Sequence, residues 1–209
     1  RHLLPDIPVL ALTATATPEV VEDIQKKLEF KTHNVFSMSF ERKNLGYVIR
    51  HCSDKDHELL HILQAVGGSA IVYVRSRKRT REIARYLESA HISANYFHAG
   101  LDPAIKDKHQ DEWQHNAKRV IVATNAFGMG IDKPDVRVVI HYDCPDSIEA
   151  YFQEAGRAGR DGQRAYAVLL YDTSDKVKLN KRIDDNYPDK DFIREVYEHL
   201  AYYFQIGQG

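Results

Sequence analysis

Cysteine is scarce in this chain: two in 209 residues, Cys52 and Cys144, with no CxxC spacing. They cannot complete a four-ligand zinc site, and they read as small apolar residues of a reducing compartment. Long apolar runs are missing as well. Nothing approaches the roughly 20 residues that span a bilayer, and no segment resembles a signal peptide, so a membrane role is excluded at this level and a cytoplasmic setting is expected, nucleoid-associated if the source is bacterial. An excess of charge is also lacking, since the net charge is -1 at pH 7. That rules out the broad basic footprint of nonspecific DNA binders and confines any nucleic-acid contact to a local patch. No GxxxxGK[ST] phosphate loop occurs. The acidic run Asp111-Glu112-Trp113-Gln114 is no magnesium box, because the charged run Lys106-Asp107-Lys108-His109-Gln110 precedes it where an apolar strand is required. No metal site is expected. Internal repeats and low-complexity segments are absent too.

What is present is an ordinary globular composition, 43% hydrophobic and 28% charged, in an alternating pattern of short apolar strands and longer helices. The chain opens on Arg1-His2 without Met and runs into the strand-like Ile7 to Leu12, which suggests a piece of a longer protein. Thr17-Pro18-Glu19 starts a helix through Leu28, with Thr17 as cap and Pro18 at its first position. Val35 to Phe40 reads as a strand, and the polar Glu41-Arg42-Lys43-Asn44 as a hinge, placing a domain boundary between about 38 and 46. Strands are then expected at 47–50, 70–74, 95–97, 120–123, 136–141 and 165–171. Helices are expected at 57–66, 77–90 and from Asp102-Pro103 to about 114, with further helix after Thr173. The fold class is α/β, a parallel sheet with helices on both faces. Trp113 is expected in the core.

In such sheets ligands bind beyond the carboxyl ends of the strands. This selects three loops: Arg75-Ser76-Arg77, His98-Ala99-Gly100, and Thr124 to Asp132. In the third, Gly128 and Gly130 permit close backbone approach. Thr124 and Asn125 offer small hydrogen-bonding groups that suit a phosphodiester chain, and the Asp132 carboxylate suits a ribose hydroxyl. A plain glycine-rich turn is the alternative. Arg75, Arg77, Lys78, Arg79 and Arg81 form a basic cluster that reads as a solvated face or a DNA contact. Last comes Gln153-Glu154-Ala155-Gly156-Arg157-Ala158-Gly159-Arg160-Asp161. On one continuous helix Gln153, Gly156, Arg157 and Arg160 share a stripe, while Ile148, Phe152, Ala155 and Gly159 form a second stripe that packs on the core. Two arginines so placed suit a polyanion, because each planar fork binds phosphate oxygens in pairs. Alone, they also read as solvated residues at a helix end.

Five short patterns in one order resemble the RecQ family of superfamily-two DNA helicases. They are Ala11-Leu12-Thr13-Ala14-Thr15-Ala16, Ile71 to Arg77, His98-Ala99-Gly100-Leu101, Ala123 to Pro134, and Gln153 to Gly162, and the likeness covers residues 1 to about 175. The resemblance implies the tail of a first RecA-like domain over 1–40, a second RecA-like domain over 41–174, and a helical extension over 175–209. It further implies an ATP-dependent helicase of 3′ to 5′ polarity. Arg157 and Arg160 would be arginine fingers to ATP and Mg²⁺ held mainly by the first domain, with Gln153 positioning the γ-phosphate or the attacking water. Asp132 and Gly130 would meet the nucleotide. Ser76, His98, Gly100, Thr124 and Asn125 would touch the DNA backbone, and Thr13 and Thr15 would couple the domains. The implied partners are single-stranded DNA, duplex junctions and the first domain. The chain departs from the family pattern in having no cysteine after Tyr171, where many relatives carry a four-cysteine zinc module, and in Arg75, where many carry a smaller polar residue. An RNA helicase of the same superfamily, or a noncatalytic nucleic-acid-binding or partner-docking module, is the competing reading.

Overall fold

The computed structural model describes residues 7–13, 16–37, 41–125, 127 and 131–206, the side chains of 201–206 excepted. Its centre is a six-stranded sheet in which every pair is parallel: β1 (Leu45–His51), β2 (Ser69–Tyr73), β3 (Ala94–Phe97), β4 (Val120–Ala123), β5 (Val136–His141) and β6 (Ala165–Tyr171), in the spatial order β1-β6-β5-β2-β4-β3. The helices are α1 (Pro18–Lys27), α2 (Lys55–Ala65), α3 (Arg77–Ser89), α4 (Pro103–Gln114), α5 (Ile148–Ala155), α6 (Thr173–Asn186) and α7 (Lys190–Ile206).

Strand alternation builds two apolar layers. Ala70, Val72, Val120, Val122, Val138 and Ile140 face Leu59 and Leu63 of α2 and Ile83 and Leu87 of α3. Ile71, Tyr73, Ile121, Ala123 and Val139 face Trp113 of α4 and Ala155 of α5. Both faces are therefore covered, as the unbroken apolar runs of a parallel sheet require. Trp113 is fully buried and donates its indole N–H to the Ala70 carbonyl at 3.0 Å, which satisfies its one polar atom. β4 and β5 lie on either side of β2, so the connection from β4 to β5 crosses the carboxyl end of β2, and ligand-binding crevices open at such reversals of strand order.

Caps fall where the sequence puts them. Thr17, Ser76 and Asp102 cap α1, α3 and α4, and Pro18 and Pro103 occupy first-turn positions. Three expectations fail. Residues 7–12 form no strand, and Leu10 and Leu12 are exposed, because no described strand lies beside them to pair with. Residues 35–37 are not strand either, while 38–40 lie outside the described residues. The third concerns α5. It stops at Ala155, and the chain continues as turns through Gly162 rather than as helix. Gly156 closes the helix and Gly159 has φ +61, a left-handed conformation that ends helices and favours glycine. Ile148 and Phe152 are accordingly not core residues. They are 72% and 47% exposed, and the Phe152 ring rests against Tyr47 of the edge strand β1 at 5.9 Å.

The polar stretch read as a hinge is a clamp. Arg42 donates through Nη2 to the carbonyls of Ala158 and Gly159 at 3.1 and 2.7 Å, and Asn44 Nδ2 reaches the carbonyls of Gly159 and Gln163 at 2.7 and 2.9 Å.

Candidate functional site

The carboxyl ends of β2, β3 and β4 carry the first group of candidate residues. Ser76 is exposed, and its Oγ accepts the Arg79 N–H as the α3 cap, leaving its own hydroxyl hydrogen to be donated outward. His98 is only 8% exposed, and its Nδ1 has no hydrogen-bond partner among the described residues. Burial first, and then the cations Arg77, Arg81 and Lys106, hold the imidazole below the ordinary histidine pKa. Gly100 is exposed. A Cβ placed there would stand 2.9 Å from Arg77 Nη1 and 3.5 Å from His98 Nδ1, so guanidinium and imidazole converge over Gly100. Thr124 is buried, with its N–H bonded to the Phe97 carbonyl at 3.2 Å, and this ties the loop after β4 to the strand leading to His98. Asn125 is exposed. Ser76, His98, Gly100, Thr124 and Asn125 thus lie along adjacent strand ends. Gly130 and Thr15 lie outside the described residues, and Thr13 is exposed in the N-terminal segment.

The second group follows α5. Gln153 is exposed on that helix, Arg157 is half-buried and Arg160 is exposed. Arg160 Nη1 donates to the Ile131 carbonyl at 3.0 Å and meets Asp132 Oδ1 at 3.2 Å, which brings together two residues selected from separate motifs. Arg157 reaches the Tyr73 phenol. Burial pushes the Tyr73 pKa well up, and the hydrogen-bonded Arg157 guanidinium pulls against it. Tyr73 in turn donates to the Phe127 carbonyl at 3.2 Å, so a single hydroxyl touches both the loop after β4 and the arginine segment. The turn itself is rigidly seated. Ala158 is fully buried, the Gly159 N–H bonds to Val136 O at 2.8 Å, and the Asp161 N–H bonds to Pro134 O at 3.1 Å.

Several contacts of this site were invisible in the sequence. His141 is fully buried at the end of β5, stacked on Tyr73 at 5.5 Å, with Nε2 2.9 Å from Glu154 Oε2. This pair anchors the last turn of α5 beneath the arginines. Arg75 is held by Asp143, Asp146 and the Cys144 carbonyl, and Asp146 also pairs with Arg182 of α6 at 2.8 Å. Arg75 is therefore a tie between the β2 end and the lead-in to α5. No local pattern marks any of these, since each bond spans residues distant in sequence.

Chemically, the site offers guanidinium donors for phosphate. Of Arg160 only Nη1 is engaged among the described residues, which leaves the rest of its fork for an anion. A triphosphate fits such donors. Among the described residues, no group of three or more His, Cys, Asp or Glu is arranged to hold a metal ion, and no helix is long and apolar enough to cross a membrane.

Comparison with known proteins bears on this geometry. The family described as "Helicase conserved C-terminal domain" matches residues 54–162. RecQ-like DNA helicase blm-1 of Caenorhabditis elegans is 43% identical over 88% of this chain and 19% of its own length. ATP-dependent DNA helicase RecQ of Haemophilus influenzae is 42% identical over 85% of this chain and 29% of its own. R290 of Acanthamoeba polyphaga mimivirus, which carries an RNA-helicase name, is 42% identical over 89% of this chain and 34% of its own. The chain thus spans about a fifth to a third of the length of these relatives. Among solved structures, the E. coli DEAD-box protein SrmB, bound to the regulator RraA, is similar with a TM-score of 0.60 and 30% identity over 68% of this chain and 85% of that one. The sheet and its two helical layers are those of a RecA-like helicase C-terminal domain, and the chain belongs to the helicase conserved C-terminal domain family, among the RecQ-like DNA helicases.

Proposed function

We propose that residues 41–174 act as the second RecA-like domain of an ATP-dependent 3′ to 5′ DNA helicase, with 1–40 the tail of the first such domain and 175–209 an extension toward a further module. In this reading ATP and Mg²⁺ are held mainly by the first domain, across a cleft into which Arg157 and Arg160 project. When bound, ATP supplies a phosphoryl group whose transfer builds negative charge, and the two guanidiniums neutralise that charge. Gln153 orients the γ-phosphate or the attacking water, and Asp132, with Gly130 beside it, receives a ribose hydroxyl. Arg160 and Asp132 hold each other at 3.2 Å in this structure, so nucleotide entry exchanges that contact for ligand contacts. Ser76, His98, Gly100, Thr124 and Asn125 bind the backbone of a single strand at a duplex junction, and Thr13 and Thr15 couple the domains. Phosphate contacts of this kind do not read base sequence, as an enzyme that steps along any strand requires. The protein works in the cytoplasm, on the nucleoid if bacterial.

The observation that carries the reading is the seated turn from Arg157 to Arg160, with its buried anchors, the half-buried Arg157 guanidinium against Tyr73 and the exposed Arg160 guanidinium. A solvated helix end has no need of the Arg42 and Asn44 clamp or the His141–Glu154 pair beneath it. The test is Arg160→Ala in the intact protein. ATP turnover is expected to fall by roughly 10³-fold or more while single-strand affinity changes by only a few fold. Surviving turnover would remove the finger assignment, and a docking module without catalytic duty would then account for the chain. The similarity to R290 keeps an RNA substrate in play, and unwinding of matched DNA and RNA duplexes by the intact protein separates the two.

A further inference from the structure

The two flanks of α3 differ in their charge balance. On one, Lys78 pairs with Glu82 at 3.6 Å, and Arg79 pairs with Asp56 at 3.0 Å and with Glu82 at 3.5 Å. Arg77, Arg81 and Arg85 form a row that starts on the other flank and runs onto the solvent face; all are exposed, and none of them has a carboxylate within ion-pair reach among the described residues. At i, i+4 and i+8 they follow one line, about 6 Å apart along the helix axis, on the scale of a nucleotide in an extended strand. The buried face of α3 is Thr80, Ile83, Ala84 and Leu87, and Arg81 lies against Tyr96 of β3, the strand at the margin of the sheet.

Several contacts fix where the line begins and ends. Arg77 Nη1 lies over Gly100 together with Nδ1 of His98, which has no hydrogen-bond partner among the described residues. The Arg81 guanidinium sits 5.3 Å from the Tyr96 ring centre, and the same ring stacks on His98 at 6.2 Å. Lys106 adds a cation from α4. Beyond Arg85 the line stops, because Glu88 bonds to the Ala94 N–H at 2.6 Å and to Lys118 at 2.8 Å. In a chain of net charge -1, a row of three arginines without a carboxylate partner among the described residues, starting at the buried His98 imidazole, has the charge a phosphate backbone needs. Cations beside an edge strand also discourage edge-to-edge pairing, but that purpose requires neither the convergence over Gly100 nor the stacked Arg81.

We propose that Arg77, Arg81 and Arg85 form a phosphate-binding ridge along the β3 margin, which carries the stretch of single-stranded DNA adjoining the part held at Ser76, His98 and Gly100. The ridge rests on the reading that the strand-end loops bind the DNA backbone. It adds that the strand leaves the domain over β3 and not over β1.

The test uses the intact helicase with the pair Arg81→Gln and Arg85→Gln, and oligothymidylates of roughly 20 and roughly 6 nucleotides. Each phosphate contact on a single strand contributes about 0.7 to the slope of log affinity against log salt. Loss of two contacts should therefore flatten the slope for the longer strand by about 1.4. The short oligomer, which does not extend beyond the strand ends, should lose much less, and Arg→Lys at both positions should restore the slope. An unchanged slope for the long strand overturns the ridge, and aggregation of the glutamine pair with that unchanged slope assigns the arginines to edge protection instead. Thr124→Ala separates the layers of the argument. If the short oligomer is indifferent to it, the strand-end reading fails and the ridge with it. If the short oligomer responds while the long-strand slope stays as in the parent, the ridge alone fails.

Discussion

Gly159 is the residue on which the candidate site depends most. With φ +61, it would suffer backbone strain as any other residue, and an added Cβ would lie 2.7 Å from Asn44 Nδ2, 2.8 Å from the Ala165 Cβ and 2.9 Å from the Gln163 carbonyl. Strain of this kind costs about 1–3 kcal/mol before any clash is counted. Gly159→Ala is therefore expected to lower unfolding free energy by about 3 kcal/mol in urea titration, and to reduce ATP turnover of the intact protein along with it. An alanine variant within about 0.5 kcal/mol of the parent would show that the turn accommodates a side chain. Asn44, whose amide closes the same turn, could not be chosen from the sequence. Its role depends on carbonyls 115 and 119 residues away, and a polar residue before a strand carries no trace of that. Asp132 and Arg160, by contrast, were chosen from separate local patterns, and the structure brings them to 3.2 Å of each other.

Among the elements, the helix that leads to the arginines is the one the pattern misjudged. The spacing of Gln153, Arg157 and Arg160 fits a helical stripe, yet glycines at 156 and 159 weaken the helix where the stripe needs it, and tertiary bonds to Val136 and Pro134 carry the chain away as a turn. The existence of α5 could be read, and its end could not. Two other elements make stability predictions. α6 is held by Lys55, which is 7% exposed and donates to Asp175 Oδ2 at 2.6 Å and to the Tyr142 carbonyl at 2.7 Å. Asp175→Ala strands that ammonium and should cost about 3–5 kcal/mol, with the amides of α6 losing hydrogen-exchange protection first. The end of α3 is held by Glu88, whose carboxyl lies below its ordinary value of 4.5 because Lys118 and the Ala94 N–H bond to the ionised form. A folded-state pKa below the unfolded one means that this stabilisation is complete above about pH 4.5 and is lost as pH falls through the lower folded value. Glu88→Gln should accordingly be less stable than the parent at neutral pH and approach it below about pH 4. Parallel stability curves across that range would contradict the assignment.

Over the whole molecule, the six strands, their parallel pairing and the two helical layers follow from apolar runs bounded by caps and glycines, which are local signals. The segments at 7–12 and 35–37 carry the same apolar signal but have no described strand beside them, and neither forms a strand in this chain. Half a catalytic centre is also what the proposed function assigns to this chain. The purified 209-residue chain is therefore expected to show no ATP turnover above background in a coupled assay, and turnover at the level of the intact protein would contradict that division of labour. One further consequence comes from the Asn44 clamp. Asn44 and Gly159 are 115 residues apart, and β1 pairs only with β6, Leu45 opposite Ala165. During synthesis at roughly 5–20 residues per second, the N-terminal half of this contact waits roughly 6–23 s for its other half to emerge. Of the six strands, β1 is made first and finds its partner last, and a chain that ends before Ala165 leaves β1 without the strand it pairs with.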